Sequence, residues 1–244
     1  MRNIFRWEMK QTFSSKAFWG IGIALTAATL LMLLVPLSEE GYTGFDIFLE
    51  GCNNFNSFLL FFIGIYAAIN VTGAFEERKI QAAVMAGNSR FSVMMAKLAS
   101  FCLSVALFSV IALTASAVVA FSAMGLNGYE GSFAREVVAR IAVYTLVEVS
   151  FTSVCFFISM LVKSLGAAVG VNLVAMLGLN TLAQLLLEKE WAQKILRFTP
   201  VGQTFMLLAD ASTKNLVISA AASLIGLAVI MVSSYLKFAK EELK

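Results

Sequence analysis

The residues best suited to chemistry are a short charged segment and a few polar side chains inside long apolar stretches. The segment holds two adjacent acids, Glu76 and Glu77, and two later bases, Arg90 and Lys97. One carboxyl group, Glu148, lies deep in an apolar stretch. The chain contains no histidine, which excludes Ser-His nucleophile pairs, histidine general bases and histidine-ligated metals. We therefore predict no catalytic, cofactor-binding or metal site in this chain.

The composition indicates a membrane protein. Of the 244 residues, 59% are hydrophobic and 14% are charged, and the mean hydropathy is +0.84. A soluble domain is about 45–50% apolar and about 25% charged, so this composition excludes an ordinary water-soluble enzyme. The three cysteines lack CxxC spacing and are odd in number, which predicts packing thiols and not a disulfide framework.

Six apolar stretches are each long enough to cross a bilayer core, which takes about 20 helical residues. A spanning segment must satisfy its own backbone hydrogen bonds, so each stretch is predicted to be a helix. The fold expected is an all-α polytopic membrane protein with one transmembrane domain over residues 1–244. Spans one to six are predicted at about 17–37, 55–75, 98–124, 141–162, 165–187 and 215–236.

The charges predict the orientation of the chain. With both termini on one side, that side carries 12 Lys/Arg and 5 acids, and the other carries 6 Lys/Arg and 9 acids. The positive-inside rule therefore predicts cytoplasmic termini. Residues 1–16 place a basic stripe beside an apolar stripe, which indicates an interfacial helix, with a basic tail that only sets topology as the alternative.

The connection before span six is too apolar for a solvated loop and too interrupted for a full span. Residues 188–213 contain several aromatic and aliphatic side chains, and Pro200 and Gly202 are expected to break the segment in the middle. We predict a broken helical hairpin that re-enters the outer leaflet. The alternative is an amphipathic loop lying flat on the membrane.

A short cytoplasmic helix is predicted at about 77–88, between spans two and three. The acids at its start favour a helix N-terminus. Ile80, Val84 and Gly87 share one weakly apolar face, and Gly87-Asn88 is a helix-stop pair. The alternative is a solvated connector.

This segment resembles the coupling-helix region of the type-2 ABC exporter permeases. The match consists of Glu76 or Glu77 at the end of span two, the turn at 87–90 (Gly-Asn-Ser-Arg) and Lys97 at the start of span three. It departs from the family at 79–80, where many members carry Gly-Thr. The order of parts also fits the whole chain, and its size resembles the short permeases of bacteriocin- and lantibiotic-immunity exporters.

The resemblance implies a permease driven by two copies of a separate cytoplasmic ABC ATPase. ATP and magnesium would bind that ATPase, and this chain has no Gly-rich stretch ending in Gly-Lys-Ser/Thr. A second permease copy or a sister permease would complete the path in the bacterial cytoplasmic membrane, for an amphipathic peptide of the lantibiotic type or a lipid-like substrate. The bilayer is a partner, and no nucleic acid is expected. The residues implied in ATPase coupling are Glu76, Glu77, Ile80, Val84, Gly87, Arg90 and Lys97.

Arg90 and Lys97 would pair with acids of the ATPase or with anionic headgroups, and topology-setting charge is the alternative for both.

Several polar side chains are predicted inside the spans. A small and polar stripe follows 3-4-3-4 spacing on span four and is interpreted as either a path lining or a helix-packing seam. The stripe consists of Thr145, Glu148, Thr152, Cys155 and Ser159. Asn70, Asn172 and Asn180 are further polar points with the same two interpretations. A GxxxG pattern at 166–170 in span five permits close approach of another helix.

Two other transport classes stay open from the sequence. One is a substrate-binding membrane subunit of another transporter type, and the other is a stand-alone channel or carrier. A direct ATPase contact at 77–88 would favour the exporter permease. An intramembrane protease is disfavoured because Glu76-Glu77 is followed directly by Arg78 and no histidine is present.

Overall fold

The computed structural model describes residues 2–38, 41–125, 133–209 and 212–240. Within these ranges the chain is helical almost throughout and contains no strand. A short π-helical segment, Ala68–Thr72, joins α4 to α5. The helices are α1 (Arg2–Ser14), α2 (Lys16–Met32), α3 (Leu34–Leu37), α4 (Gly44–Ala67), α5 (Gly73–Glu76), α6 (Lys79–Met85), α7 (Arg90–Met124), α8 (Phe133–Leu161), α9 (Leu165–Leu187), α10 (Glu190–Leu196), α11 (Pro200–Ala209) and α12 (Thr213–Lys240).

Six helical segments of the described chain are long and apolar enough to cross a membrane, which confirms the all-α polytopic class. Spans one to six correspond in order to α2–α3, α4–α5, α7, α8, α9 and α12. The segments are Lys16–Leu37, Gly44–Glu76, Arg90–Met124, Val137–Leu161, Leu165–Leu187 and Thr213–Lys240.

The helices of spans two and three begin earlier than the hydropathy predicted, because capping residues extend these helices beyond their apolar parts. The helix of span two starts at Gly44 and not near residue 55. At this start, Thr43 and Asp46 form a reciprocal capping box. The helix of span three starts at Arg90 and not near residue 98, and the Ser89 hydroxyl accepts from the Ser92 amide at 3.2 Å. Residues 39–40 and 126–132, which fall in the predicted external loops, lie outside the described residues.

Span two lies at the centre of the bundle. Helix α4 packs against α2, α7, α8 and α9. The Tyr66 hydroxyl donates to Ser104 of α7 at 2.7 Å, and the Thr72 hydroxyl donates to the Ser159 carbonyl of α8 at 2.8 Å. The π-helical segment begins just after the first contact and contains Thr72 of the second, and it shifts the register of the side chains that follow it.

The hairpin before span six consists of α10 and α11, and its break falls before Pro200 instead of at it. Pro200 is the first residue of α11, where its missing amide hydrogen has no intrahelical partner to lose. The two helices meet so closely that a Cβ on Gly202 would overlap the Leu196 carbonyl oxygen. The Gln203 side chain accepts from Ser219 of α12 at 2.5 Å, so the hairpin is fastened to span six.

We expect Gly202→Ala to lower the unfolding free energy by about 1–3 kcal/mol, because the added methyl group overlaps backbone atoms that cannot move freely. The measurement is the thermal unfolding midpoint of the purified chain in one detergent. Gly178→Ala is the matched control, since a Cβ there meets nothing within 4 Å. Equal midpoints for Gly202→Ala and the unaltered chain would contradict the packing described.

Candidate functional site

Helix α6, between spans two and three, is the centre of the candidate site. It runs from Lys79 to Met85 and is shorter than the predicted 77–88. Arg78 before it has a left-handed backbone conformation with φ of 53°. Gly87 after it has φ of 87°, a value that glycine adopts without strain, and the Asn88 side chain donates to the Ala83 carbonyl at 2.9 Å. Sharp turns at both ends therefore delimit α6.

The apolar face of α6 packs on the chain itself. Ile80 is buried in the core, and Val84 is half-buried against it. These two residues, predicted as ATPase contacts, hold α6 on the bundle because a short helix must bury its apolar face to be stable. The exposed face is a different one, with Ala82 and Ala86 beside Met85, which is 80% exposed.

The two acids before α6 have separate roles. Glu76 is the last residue of α5, and its carboxylate accepts from the Leu165 amide at the start of α9 at 2.8 Å. An acid at a helix N-terminus is stabilised by the free amide groups and the helix dipole. Glu77 forms an exposed ion pair with Lys79. Glu76 therefore joins the end of span two to the start of span five.

The two bases after α6 have partners inside the chain. The Arg90 guanidinium donates to the Ala239 carbonyl at the end of α12 at 3.1 Å. The Lys97 ammonium pairs with Glu8 of α1 at 3.0 Å. Lys97 is 5% exposed and Glu8 is 2% exposed, so this ion pair is buried. Lys97, predicted to contact an ATPase or a headgroup, is instead buried on the side of α7 that packs against α1.

Helix α1 buries a face that the sequence analysis did not identify. Ile4, Glu8 and Thr12 follow one another at every fourth position and are all buried, and α1 packs against α7. The apolar residues Phe5 and Phe13 of the predicted stripe remain exposed. The sequence signal that could have identified this buried face is Glu8, a lone acid within a basic segment.

A surface groove of about 420 Å³ separates α1 from α6. Trp7 of α1 lies on one side of it, and Ala82 and Ala86 of α6 lie on the other. The exposed α6 face and this groove form a continuous surface, which we call the α1–α6 surface, defined by Trp7, Ala82, Met85 and Ala86.

The predicted polar stripe on α8 is buried along its whole length, from Thr145 to Ser159. The Thr152 hydroxyl donates to the Glu148 carbonyl at 2.7 Å within the helix. Ser159 contacts both neighbouring spans, as its carbonyl accepts from Thr72 and its hydroxyl accepts from Asn172 at 2.8 Å. In the described part of the chain, this geometry is that of a packing seam. Within one copy of the chain, the stripe exposes no surface to a translocation path.

Glu148 is 0% exposed, and neither of its carboxyl oxygens has a hydrogen-bond partner among the described residues. One turn earlier, the Tyr144 hydroxyl donates to the Cys52 carbonyl of α4 at 3.3 Å. The Thr145 hydroxyl also lacks a partner in the described chain. A carboxyl group in these surroundings is expensive to ionise, so Glu148 is the costliest polar residue of the seam.

The three asparagines of the spans have different surroundings. Asn172 ties α9 to α4 by donating to the Gly64 carbonyl at 3.2 Å. Asn70 lies in the π-helical segment, and its amide nitrogen donates to the Tyr66 hydroxyl at 3.4 Å. The Asn180 amide oxygen is buried without a partner in the described part of the chain. The structure does not bring the three together.

These observations define an all-α polytopic membrane protein with a short helix held between spans two and three. The chain belongs to the DUF2705 family, whose description is "protein of unknown function"; the family profile matches residues 17–243. No curated protein matches the chain.

We expect Lys97→Met to lower the unfolding free energy by about 3–5 kcal/mol, because it leaves the Glu8 carboxylate buried without its partner. The double variant Glu8→Leu/Lys97→Met removes both charges and should recover most of this loss. Thermal unfolding of the unaltered chain, of Glu8→Leu, of Lys97→Met and of the double variant gives the coupling energy. A double variant no more stable than Lys97→Met would contradict a direct pair.

Proposed function

We propose that this chain is the membrane-spanning permease subunit of an ATP-driven exporter with the type-2 ABC architecture. Helix α6 would be its coupling helix, and α1 would lie at the cytoplasmic interface. The observation that carries the proposal is that α6 is a separate short helix, fixed at both ends to spans two and three, with a strongly exposed Met85 on its outer face.

Fixed ends make α6 suitable as a lever. A two-residue turn joins it to α5, and the Ser89 cap starts α7 shortly after it ends. Because Ile80 is anchored in the core, a force on the outer face is transmitted to the spans and is not absorbed by bending. The power would come from two copies of a cytoplasmic ATPase, which would bind the ATP and magnesium.

The α1–α6 surface has the chemistry of a docking site for a protein with an apolar cleft. Met85 is flexible and adapts to irregular pockets, and Trp7 offers a large apolar area. Arg78 and Lys79 make the border of this surface basic. The excess of Lys/Arg on the side that holds α1 and α6 supports cytoplasmic termini in a bacterial cytoplasmic membrane, where an ATPase has access.

Span five supports a second permease copy or a sister permease as partner. Only 17% of the 18-residue apolar stretch of this span is buried within the chain. A Cβ on Gly166, Gly170 or Gly178 would meet nothing within 4 Å, and Val174 between them is 75% exposed. Gly166 and Gly170, four residues apart on one face, let another helix approach closely.

The proposed substrate is an amphipathic peptide of the lantibiotic or bacteriocin type, or a lipid-like molecule. Spans one, five and six bury only 22%, 17% and 17% of their 18-residue apolar stretches. Their remaining apolar surface is therefore available beside a path between two permeases. Such a surface suits a molecule that enters from the bilayer.

We expect Met85→Glu to abolish copurification of the ATPase, because the new charge lies on the docking surface and outside the core. The tagged chain is purified from native membranes in mild detergent, and its stoichiometric partners are identified by mass spectrometry. Met85→Leu is the control and should retain the partner. If no protein with a nucleotide-binding motif accompanies the unaltered chain, the exporter proposal fails, and flux through liposomes tests a channel or carrier.

We expect Gly170→Leu to weaken permease pairing by about tenfold or more, because its side chain keeps the partner helix at a distance. The measurement is energy transfer between two labelled populations of the chain, or between this chain and a copurified sister permease. Gly20→Leu is the control, as that position is equally open but on span one. Equal pairing for Gly170→Leu and the unaltered chain would argue against span five as the interface.

A further inference from the structure

A polar cavity of about 350 Å³ lies where the end of α1, the start of α2 and the π-helical segment meet. Its wall includes Gln11, Ser15, Asn70, Glu77 and Lys97. The volume falls in the range of about 300–1,000 Å³ that is typical of small-molecule sites. Neither the α1–α6 surface nor the seam on α8 includes this cavity, which we call the π-segment cavity.

The hydrogen bonds behind Asn70 determine which atom of its amide is satisfied. The Ser104 hydroxyl donates to the Ser100 carbonyl at 2.8 Å, so its oxygen accepts the proton of the Tyr66 hydroxyl. Since the Tyr66 proton is used there, its oxygen can only accept, and the Asn70 group that faces it is the NH2 group. The Asn70 carbonyl oxygen therefore receives no hydrogen bond from this series of residues.

Two acceptors in the cavity wall lack donors. The amide oxygens of Asn70 and Gln11 are buried, and neither has a hydrogen-bond partner among the described residues. The two ammonium groups of the wall are already matched, Lys97 by Glu8 and Lys79 by Glu77. The amide oxygens of Asn70 and Gln11 thus lack donors, and a ligand that supplies N–H groups would satisfy both.

The location of the cavity favours a ligand from the headgroup region. It lies beside Ser15 and Ala17, where the first apolar span begins. Trp19 is exposed at the same end of span one, and tryptophan is enriched at membrane–water interfaces. The exposed Glu77–Lys79 pair at the wall can open readily, offering a carboxylate to a cation and an ammonium to a phosphate.

We propose that the π-segment cavity binds a primary ammonium group, presented by the ethanolamine headgroup of a phospholipid. The side chains of Asn70 and Gln11 turn their buried oxygens towards the ammonium, which donates to both, and the adjoining phosphate lies towards Lys79. A primary ammonium has three N–H donors, whereas the trimethylammonium of choline has none, so the site distinguishes two headgroups of equal charge. This proposal does not depend on an ATPase partner.

The test is native mass spectrometry of the purified, delipidated chain with phosphatidylethanolamine or phosphatidylcholine of identical acyl chains. We expect the ethanolamine lipid to bind at least about tenfold more tightly, because charge-assisted hydrogen bonds to two oxygens contribute to the difference. Asn70→Leu and Gln11→Leu should each lower the preference, because each removes one of the two acceptors. Asn180→Leu is the matched control, since it removes an equally unpartnered amide oxygen outside this cavity, and it should keep the preference.

Further variants distinguish a loss of binding from a loss of folding. A competition experiment distinguishes a lipid ligand from a soluble one. If Asn70→Leu does not fold, Gln11→Leu on α1 decides, and Asn70→Asp, which keeps an acceptor, should retain the preference. Displacement of the lipid by soluble ethanolamine would assign the site to the ammonium group alone, and resistance to it would assign the site to the lipid. Equal binding of the two lipids, or a preference that neither leucine substitution lowers, would overturn the proposal.

Discussion

The bundle depends on hydrogen bonds between span two and its neighbours, because polar groups inside a membrane find no water to bond. Tyr66 reaches α7, Thr72 reaches α8, and the Gly64 carbonyl accepts from α9. Glu76 then joins the end of the same span to the start of α9. Spans three, four and five are thus held to one central helix by contacts that also fix where that helix ends, and α6 follows directly.

The sequence predicted the number and kind of spans, the short helix after span two and the divided hairpin, because each depends on a local pattern. It did not predict that Lys97 pairs with Glu8 or that Glu76 caps α9. Both pairs are separated by 89 residues. Periodicity identifies the faces of one helix and does not say which helices meet. Ile80 and Val84 were recognised as an apolar face, yet the same pattern fits a face turned inwards and one turned towards a partner.

The middle of the bundle and the region near α6 differ in how far their polar residues are closed off. The middle is packed shut, and the proposed functions lie near α6. In the middle, the stripe on α8 closes against its neighbours and leaves Glu148 buried. Near α6, the π-segment cavity and the Lys97–Glu8 ion pair are polar, and Met85 is exposed. Helix α1 contributes to the α1–α6 surface and to the π-segment cavity, so a lipid in the cavity and a protein on the surface would contact the same helix.

The proposed coupling through α6 is tested most directly by a photo-crosslinking amino acid at position 85 in native membranes. The account predicts a crosslink to a protein with a nucleotide-binding motif, while the same probe at position 174 in span five gives a crosslink to a second permease and none to that protein. A crosslink from position 85 only to lipid, or only to proteins without a nucleotide site, would contradict it.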